Sequence, residues 1–153
     1  MTRIVFVCLL LALSSLTTTA QVIIHISPKH QKKYETIRAS VENTGSKPVT
    51  FCIEVGQTSP KGGGAIEATP SPFWVQRNNN GNWGTLMIGP DVGSFRSPNV
   101  LESGKSVEFN FRMGESGQMR LRMNYWSGSF PSLDCHATSK GARVITSEIF
   151  TVE

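Results

Sequence analysis

Histidine, cysteine and aspartate are the residues of this sequence best suited to metal, nucleophilic or acid–base chemistry, and there are few of them. Neither His25 nor His30 has a ligand partner at the short spacing that zinc sites favour. A Ser-His-Asp site would need Asp91 or Asp134, and the sequence has no Gly-x-Ser-x-Gly motif that would present a nucleophilic serine. We therefore expect no metal, no cofactor and no catalytic activity.

The cysteines present a choice between a disulfide and a reactive thiol. Cys8 lies in an amino-terminal segment that we expect to be removed, so the mature chain holds Cys52 and Cys135. An oxidising compartment favours their pairing, and closing a loop of about 80 residues would stabilise the fold by roughly 4 kcal/mol in the chain-entropy model. The alternative is a nucleophilic thiol at Cys135 beside His136, although adjacency in sequence does not show that the two side chains meet. The sequence favours the disulfide.

The amino terminus has the features of a secretory signal peptide. Arg3 gives a short basic start, and residues 4–13 form an apolar run that is shorter than the ~20 residues a membrane-spanning helix needs. Thr18 and Ala20 are small residues suited to the positions before a signal peptidase cleavage site, so Gln21 is the expected first mature residue. We expect export without a membrane span, to a secreted or periplasmic location.

A single domain is expected over residues 21–153, after a signal peptide of residues 1–20. Hydrophobic residues make up 39% of the chain and charged residues 17%, which argues against intrinsic disorder and coiled coil. The 14 glycines and 8 prolines indicate many turns. A net charge of +4, with scattered basic residues, is too small for a nucleic-acid-binding surface.

Strands with one buried face must position the candidate residues, because four segments alternate apolar and polar residues with period two. Weaker strand patterns precede, separate and follow them, and Asn80-Gly81 is a strong hairpin signal since both residues tolerate positive φ. About eight strands without a crossover helix predict an all-β, antiparallel sandwich. The strong strands are 36–42, 49–55, 106–112 and 119–126, and the weaker ones are 22–26, 73–77, 83–87 and 144–152.

Cys52 falls on the outward face of its predicted strand, since Phe51 and Ile53 fall on the buried face. Cys135 lies in the irregular stretch 127–141 between the last two predicted strands. We therefore expect the bridge to attach this loop to the outside of a sheet and to order it.

Four segments carry turn and strand motifs, and they are residues 41–51, 80–83, 101–109 and 117–121. In this order they are similar to an N-T-x-x-x-P-V-x-F turn, a G-x-W hairpin, an L-x-x-G-x-x-x-x-F strand start and a G-x-Y-x-L strand, with Met119 in place of the usual tyrosine. These motifs resemble those of bacterial immunoglobulin-like domains. The resemblance implies an immunoglobulin-like β-sandwich and a binding or structural role. A similar layout occurs in small proteinase inhibitors of the BsuPI type.

A candidate binding face follows from this resemblance, because strands 49–55 and 119–126 would be neighbours in one sheet. Glu54 would then pair with Arg120 or Arg122 across the strands. Trp126 would be part of a contact patch if exposed, and part of the core if it packs under the loop 127–141, which the sequence favours. The outward residues of this candidate face are Glu54, Arg120, Arg122, Asn124 and Trp126.

Two further segments are candidate binding elements. The long loop 57–72 contains Lys61, Gly62, Gly63 and Gly64, and a loop of this length without secondary structure is often functional. The basic cluster Lys29, Lys32 and Lys33 is either a solvated turn or a site for an anionic partner.

The expected function is thus that of a secreted binding or structural module, with a protein or a cell-surface glycan as its partner. One alternative is a proteinase inhibitor that presents loops such as 62–70 and 127–141, although the N-P-T-T-G and R-P-W loops of chagasin-type inhibitors are missing. The other is a glycan-binding module, which predicts that Trp126 or Trp74 is exposed on a flat face.

Overall fold

The computed structural model describes residues 21–55, 72–86, 95–135 and 140–153. Within these ranges the chain forms eleven β-strands and no helix. The strands are β1 (Val22–Ser27), β2 (His30–Gln31), β3 (Thr36–Asn43), β4 (Val49–Val55), β5 (Trp74–Asn79), β6 (Asn82–Thr85), β7 (Phe95–Leu101), β8 (Ser106–Arg112), β9 (Gly117–Ser127), β10 (Arg143–Thr146) and β11 (Phe150–Val152).

The strands form two sheets. The smaller sheet has the order β1-β3-β8, with β3 antiparallel to both neighbours. The larger sheet is built around β9, which pairs antiparallel with β4, β5, β10 and β11. Beyond these, β7 pairs with β4, β6 pairs with β5, and the short β2 runs parallel to β11. This is the all-β, two-sheet architecture that the sequence predicts.

The core lies between the sheets, where alternate residues of β1, β3 and most of β9 are buried. On the smaller sheet Ile37 and Ala39 are fully buried. The Phe109 ring of β8 meets Phe51 of the larger sheet edge-on at 6.3 Å between ring centroids, and meets Phe73 at 5.4 Å. Edge-to-face pairs of this kind add to the free energy gained by burying the rings. Aromatic contacts therefore hold the two sheets face to face.

Several predicted strands have the observed bounds, and others do not. The predictions for β4 and β8 match residue for residue, whereas the predicted strand 144–152 consists of two strands, β10 and β11. The chain leaves the sheet at Ser147, whose buried hydroxyl accepts a hydrogen bond from the Leu121 amide at 2.9 Å. The sequence did not predict β2 or β7. Pro98 breaks the pattern of β7, which is tolerated because β7 pairs only with β4, at the edge of its sheet.

The predicted hairpin is confirmed between β5 and β6. Asn80 has a φ of 53° and Gly81 a φ of 93°, the two positive values that a two-residue type I′ turn requires. The Gly81 amide also donates a hydrogen bond to the Asn78 side-chain oxygen at 2.7 Å. The turn brings Trp83 opposite Asn78.

Asn43 holds together the turns at one end of the sandwich. Its fully buried side-chain amide donates to the carbonyl oxygens of Lys47 at 2.8 Å and Leu101 at 3.0 Å. Its Oδ1 accepts a hydrogen bond from the Gly45 amide at 3.1 Å. One side chain thus satisfies three backbone groups and connects the β3–β4 turn to the end of β7.

We predict that Asn43→Ala lowers the free energy of unfolding by about 2 kcal/mol or more, because it leaves buried backbone groups without partners. Urea denaturation measures this as a lower midpoint with an unchanged slope. Asn110→Ala, on the exposed face of β8, is the matched control and should change stability by less than about 0.5 kcal/mol. Equal stabilities of the two variants would contradict this role of Asn43.

Candidate functional site

The predicted disulfide is present and ties a loop to the larger sheet. Cys52 of β4 is bonded to Cys135, 83 residues away, with a Cα–Cα distance of 5.7 Å. Cys135 lies in the segment that follows β9, as predicted. The alternative of a free, nucleophilic Cys135 thiol is therefore not found, and His136 lies outside the described residues.

The loop after β9 covers one end of the outward side of the larger sheet. Thr50 is fully buried beneath it, donating a hydrogen bond to the Gly128 carbonyl at 2.8 Å and accepting one from the Phe130 amide at 2.9 Å. Trp126, the register partner of Thr50, is 8% exposed and donates from Nε1 to the Lys140 carbonyl at 3.0 Å. The preferred interpretation of Trp126 as a core residue under this loop is confirmed. Trp126 is therefore not an exposed member of the candidate binding face.

The rest of this outward side carries a cluster of tryptophans, arginines and amides. Strand register places Trp74 opposite Arg122 and Gln76 opposite Arg120, on strands β5 and β9. Paired residues of neighbouring antiparallel strands point to the same side of a sheet. We call this surface the outer face, and its members are Trp74, Gln76, Trp83, Arg120, Arg122 and Asn124.

Arg120 is held in one orientation by its neighbours on the outer face. Its Nε donates to the Oε1 atom of Gln76 at 2.8 Å, and its guanidinium carbon lies 4.3 Å from the centroid of the Trp83 ring. A cation over an aromatic ring at this distance is attracted by the electron density of the ring. The Arg120 guanidinium is thus held by its hydrogen bond to Gln76 and by its contact with the Trp83 ring.

Arg122 and Asn124 have polar groups without a partner among the described residues. Arg122 is exposed and forms no hydrogen bond or ion pair with the described residues, while Trp74 beside it keeps 40% of its surface exposed. Asn124 Oδ1 is buried and accepts no hydrogen bond. A buried acceptor without a partner is uncommon in native folds and is costly. Of these groups, the Arg122 side chain is exposed to solvent, whereas Asn124 Oδ1 is buried.

The strand register does not place Glu54 beside Arg120 or Arg122, as the expected pairing requires. Strand β4 meets β9 only at Val49 and Thr50, because β5 occupies the positions beside the two arginines. The register partner of Glu54 is Arg96 of β7, and the side chain of Glu54 lies outside the described part of the structure. The hairpin of β5 and β6, rather than β4, supplies the neighbours of the arginines.

Sequence reasoning did not identify Gln76 or Trp83 as members of the site. A local signal existed for Trp83, since a two-residue turn at Asn80-Gly81 puts Trp83 on the same side as Gln76. No local signal indicated that this hairpin pairs with β9. The other candidate loop, Lys61, Gly62, Gly63 and Gly64, lies outside the described residues.

His25 and Lys29 form ordinary surface contacts. His25 Nε2 lies 3.2 Å from a carboxylate oxygen of Glu42 on the neighbouring strand. Among the described residues there is no group of three or more side chains that could hold a metal ion. The Lys29 ammonium lies 2.6 Å from a Glu148 carboxylate oxygen, and this hydrogen bond lowers the pKa of Glu148 below its ordinary value.

We predict that Lys29→Ala raises the pKa of Glu148 towards its ordinary value, whereas Lys32→Ala leaves it unchanged. Because the pKa is lowered in the folded state, the pair stabilises the fold above the unfolded-state pKa, and this contribution is lost as pH falls through the folded-state pKa. Carboxyl-carbon NMR titration measures the shift. An unchanged Glu148 pKa in Lys29→Ala would show that Lys29 is not its cause.

We predict that reducing the disulfide uncovers Trp126. In a variant whose only tryptophan is Trp126, made by Trp74→Phe and Trp83→Phe, reduction should shift the emission to longer wavelength and increase quenching by acrylamide. The free energy of unfolding should fall by about 4 kcal/mol. A Cys52→Ser/Cys135→Ser control should resemble the reduced protein with or without reductant. Thiol labelling of the native protein before reduction would contradict the bridge.

Comparison with known proteins does not assign a family to the chain. A scan against models of protein families finds no match, and a search of curated proteins finds no significant similarity. Across the described ranges, no helix has the length and apolar character needed to cross a bilayer.

Proposed function

We propose that this chain is a secreted, disulfide-stabilised binding module of the immunoglobulin-like kind, which acts by association and not by catalysis. The observation that carries the proposal is the outer face, where exposed Trp74 lies beside Arg122. Tryptophan and arginine are the residues most enriched where binding energy is concentrated. The ligand would lie against the larger sheet, on the part of β9 that the loop leaves uncovered.

The disulfide supports export. Such bonds persist in oxidising compartments and are rare in the cytosol, so the Cys52–Cys135 bridge agrees with the signal peptide predicted from the sequence. A bridge that spans 83 residues also stabilises a small domain by restricting its unfolded state. The two features together support a secreted or periplasmic location.

The placement of the outer face on strands favours a binding role. Arg120 and Arg122 belong to a strand with four antiparallel partners, and Arg120 is further oriented by Gln76 and Trp83. A surface whose side chains are already ordered loses less entropy when a ligand binds. The resemblance to immunoglobulin-like domains rests on turn and core motifs, and the proposal extends it to this chain as a fold analogy.

A glycan is the ligand class that the exposed indole favours. Trp74 is 40% exposed on a sheet face, as the glycan-binding alternative predicts, and it has amide and guanidinium groups around it. An indole offers an apolar ring face for the carbon–hydrogen face of a sugar ring, and polar neighbours can bond the hydroxyls.

A proteinase inhibitor is the second candidate. The loop after β9 is held by the disulfide and by two hydrogen bonds of Thr50, and it presents Phe130 with 45% of its surface exposed. A loop held in one conformation binds a cleft with a smaller entropy loss. Phe130 would then be the residue inserted into the protease.

The mature protein should bind saturably to members of an array of neutral and acidic oligosaccharides, and Trp74→Ala should lower the affinity at least tenfold. Phe130→Ala is the matched control, since it removes an exposed aromatic ring outside the outer face, and it should bind like the native protein. If the protein bound none of the saccharides saturably, this result would contradict a glycan-binding role. Stoichiometric inhibition of a serine or cysteine protease, abolished by Phe130→Ala, would establish the second candidate instead.

A further inference from the structure

We propose that the outer face selects acidic saccharides, with Arg120 and Arg122 binding the carboxylate groups of a uronic acid chain that stacks on Trp74. This inference rests on the proposed function and adds the chemical class of the ligand. It is carried by three observations: the charge of the strands, the orientation of the guanidinium groups, and the polar character of the surface.

The strands that form the outer face carry positive charge only. Strands β5, β6, β9 and β10 contain no aspartate or glutamate, and they contain four arginines. Arg77 is paired with Glu115 at 3.2 Å, outside the outer face. Within the described structure, Arg120 and Arg122 have no acidic partner, so the outer face keeps an uncompensated positive charge. Such a surface attracts anionic ligands and disfavours cationic ones.

Arg120 is oriented so that its terminal nitrogens remain available. Its Nε donates a hydrogen bond to Gln76, and its guanidinium carbon lies over the Trp83 ring. Neither terminal nitrogen donates a hydrogen bond to a described residue. Two parallel hydrogen bonds from a guanidinium to a carboxylate are the strongest polar contacts available to an arginine. The two terminal nitrogens of Arg120 can therefore donate such a pair of hydrogen bonds to a carboxylate.

Arg122 and Trp74 provide a second contact beside the first. Arg122 lies two residues along β9 from Arg120 and points to the same side, so their Cα atoms are about 7 Å apart. Trp74 is the cross-strand neighbour of Arg122 and keeps its indole partly exposed. A sugar ring stacked on Trp74 would place a carboxylate substituent within reach of Arg122. The next sugar ring of the ligand chain would then extend towards Arg120.

The outer face fits a saccharide better than a protein. Among the members of the outer face, Trp74 is the one large hydrophobic side chain with substantial exposure, and Val144 of β10, the register partner of Asn124, is exposed beside it. Protein interfaces, in contrast, have a largely apolar centre. Amides and arginines around a single exposed indole match a ligand that is rich in hydroxyls and carboxylates.

The test uses polygalacturonate, its methyl-esterified form and poly-glutamate as probes of the mature protein in isothermal titration calorimetry. The methyl ester keeps the sugar ring and hydroxyls but removes the charge, and poly-glutamate keeps the charge without sugar. We expect saturable binding of polygalacturonate that weakens with added salt. Binding of each of the other two polymers should be at least tenfold weaker.

Matched variants locate the binding on the outer face. Arg122→Gln and Arg120→Gln should each weaken polygalacturonate binding at least fivefold, and Trp74→Ala at least tenfold. Arg38→Gln removes the same charge from the exposed side of the smaller sheet and should bind within twofold of the native protein. All variants are exposed or half-exposed at the altered residue, and a thermal melt of each checks that it remains folded.

Several outcomes would overturn the inference. Equal binding of the methyl ester would show that the charge is not recognised, and the proposed glycan-binding function would stand without it. Equal losses of polygalacturonate affinity in Arg38→Gln and Arg122→Gln would show unspecific attraction by net charge. Binding of poly-glutamate as tight as that of polygalacturonate would show the same. Absence of polygalacturonate binding would reject the acidic ligand. The array described above then decides whether a neutral saccharide binds through Trp74.

Discussion

The register of β9 is the constraint on which the rest of the structure depends. Met119, Leu121 and Met123 are fully buried between the sheets, and the arginines between them point the other way. A slip of one residue would move Arg120 and Arg122 into the core, where an uncompensated charge costs far more than the fold can supply. Since β4, β5, β10 and β11 all pair with this strand, one alternating sequence sets the position of most of the larger sheet.

The same constraint produces the candidate site. The arginines of β9 that cannot lie in the core point to one surface, and the hairpin of β5 and β6 places its own outward residues beside them. Arg120 shows the result, because Gln76 and Trp83 come from two different strands of that hairpin and hold one guanidinium. The ordering of the site is therefore a consequence of sheet formation and needs no separate scaffold. Asn124 is the exception, since its buried oxygen gains no partner from the fold.

Much of the fold could be predicted because strands with one buried face alternate locally. The pattern identified β3, β4, β8 and β9, but it could not identify β7, where Pro98 interrupts the alternation at a sheet edge. For the site, the alternation of β9 put Arg120 and Arg122 on one face, and the irregular stretch after the strand favoured burial of Trp126. The neighbours could not be predicted in the same way. The pairing of Trp74 with Arg122 joins residues far apart in the chain, and local sequence patterns do not specify which distant strand will be adjacent.

The disulfide-linked loop makes the larger sheet asymmetric along β9. Near Trp126 the described residues cover both sides of the strand, with the core on one side and the loop on the other, whereas Arg122 is exposed on the outward side. Within the described structure, the loop therefore adds a third layer at the Trp126 end of β9. An extended ligand of the proposed outer face would reach this loop beyond Asn124, so the loop would limit how far along β9 such a ligand could extend.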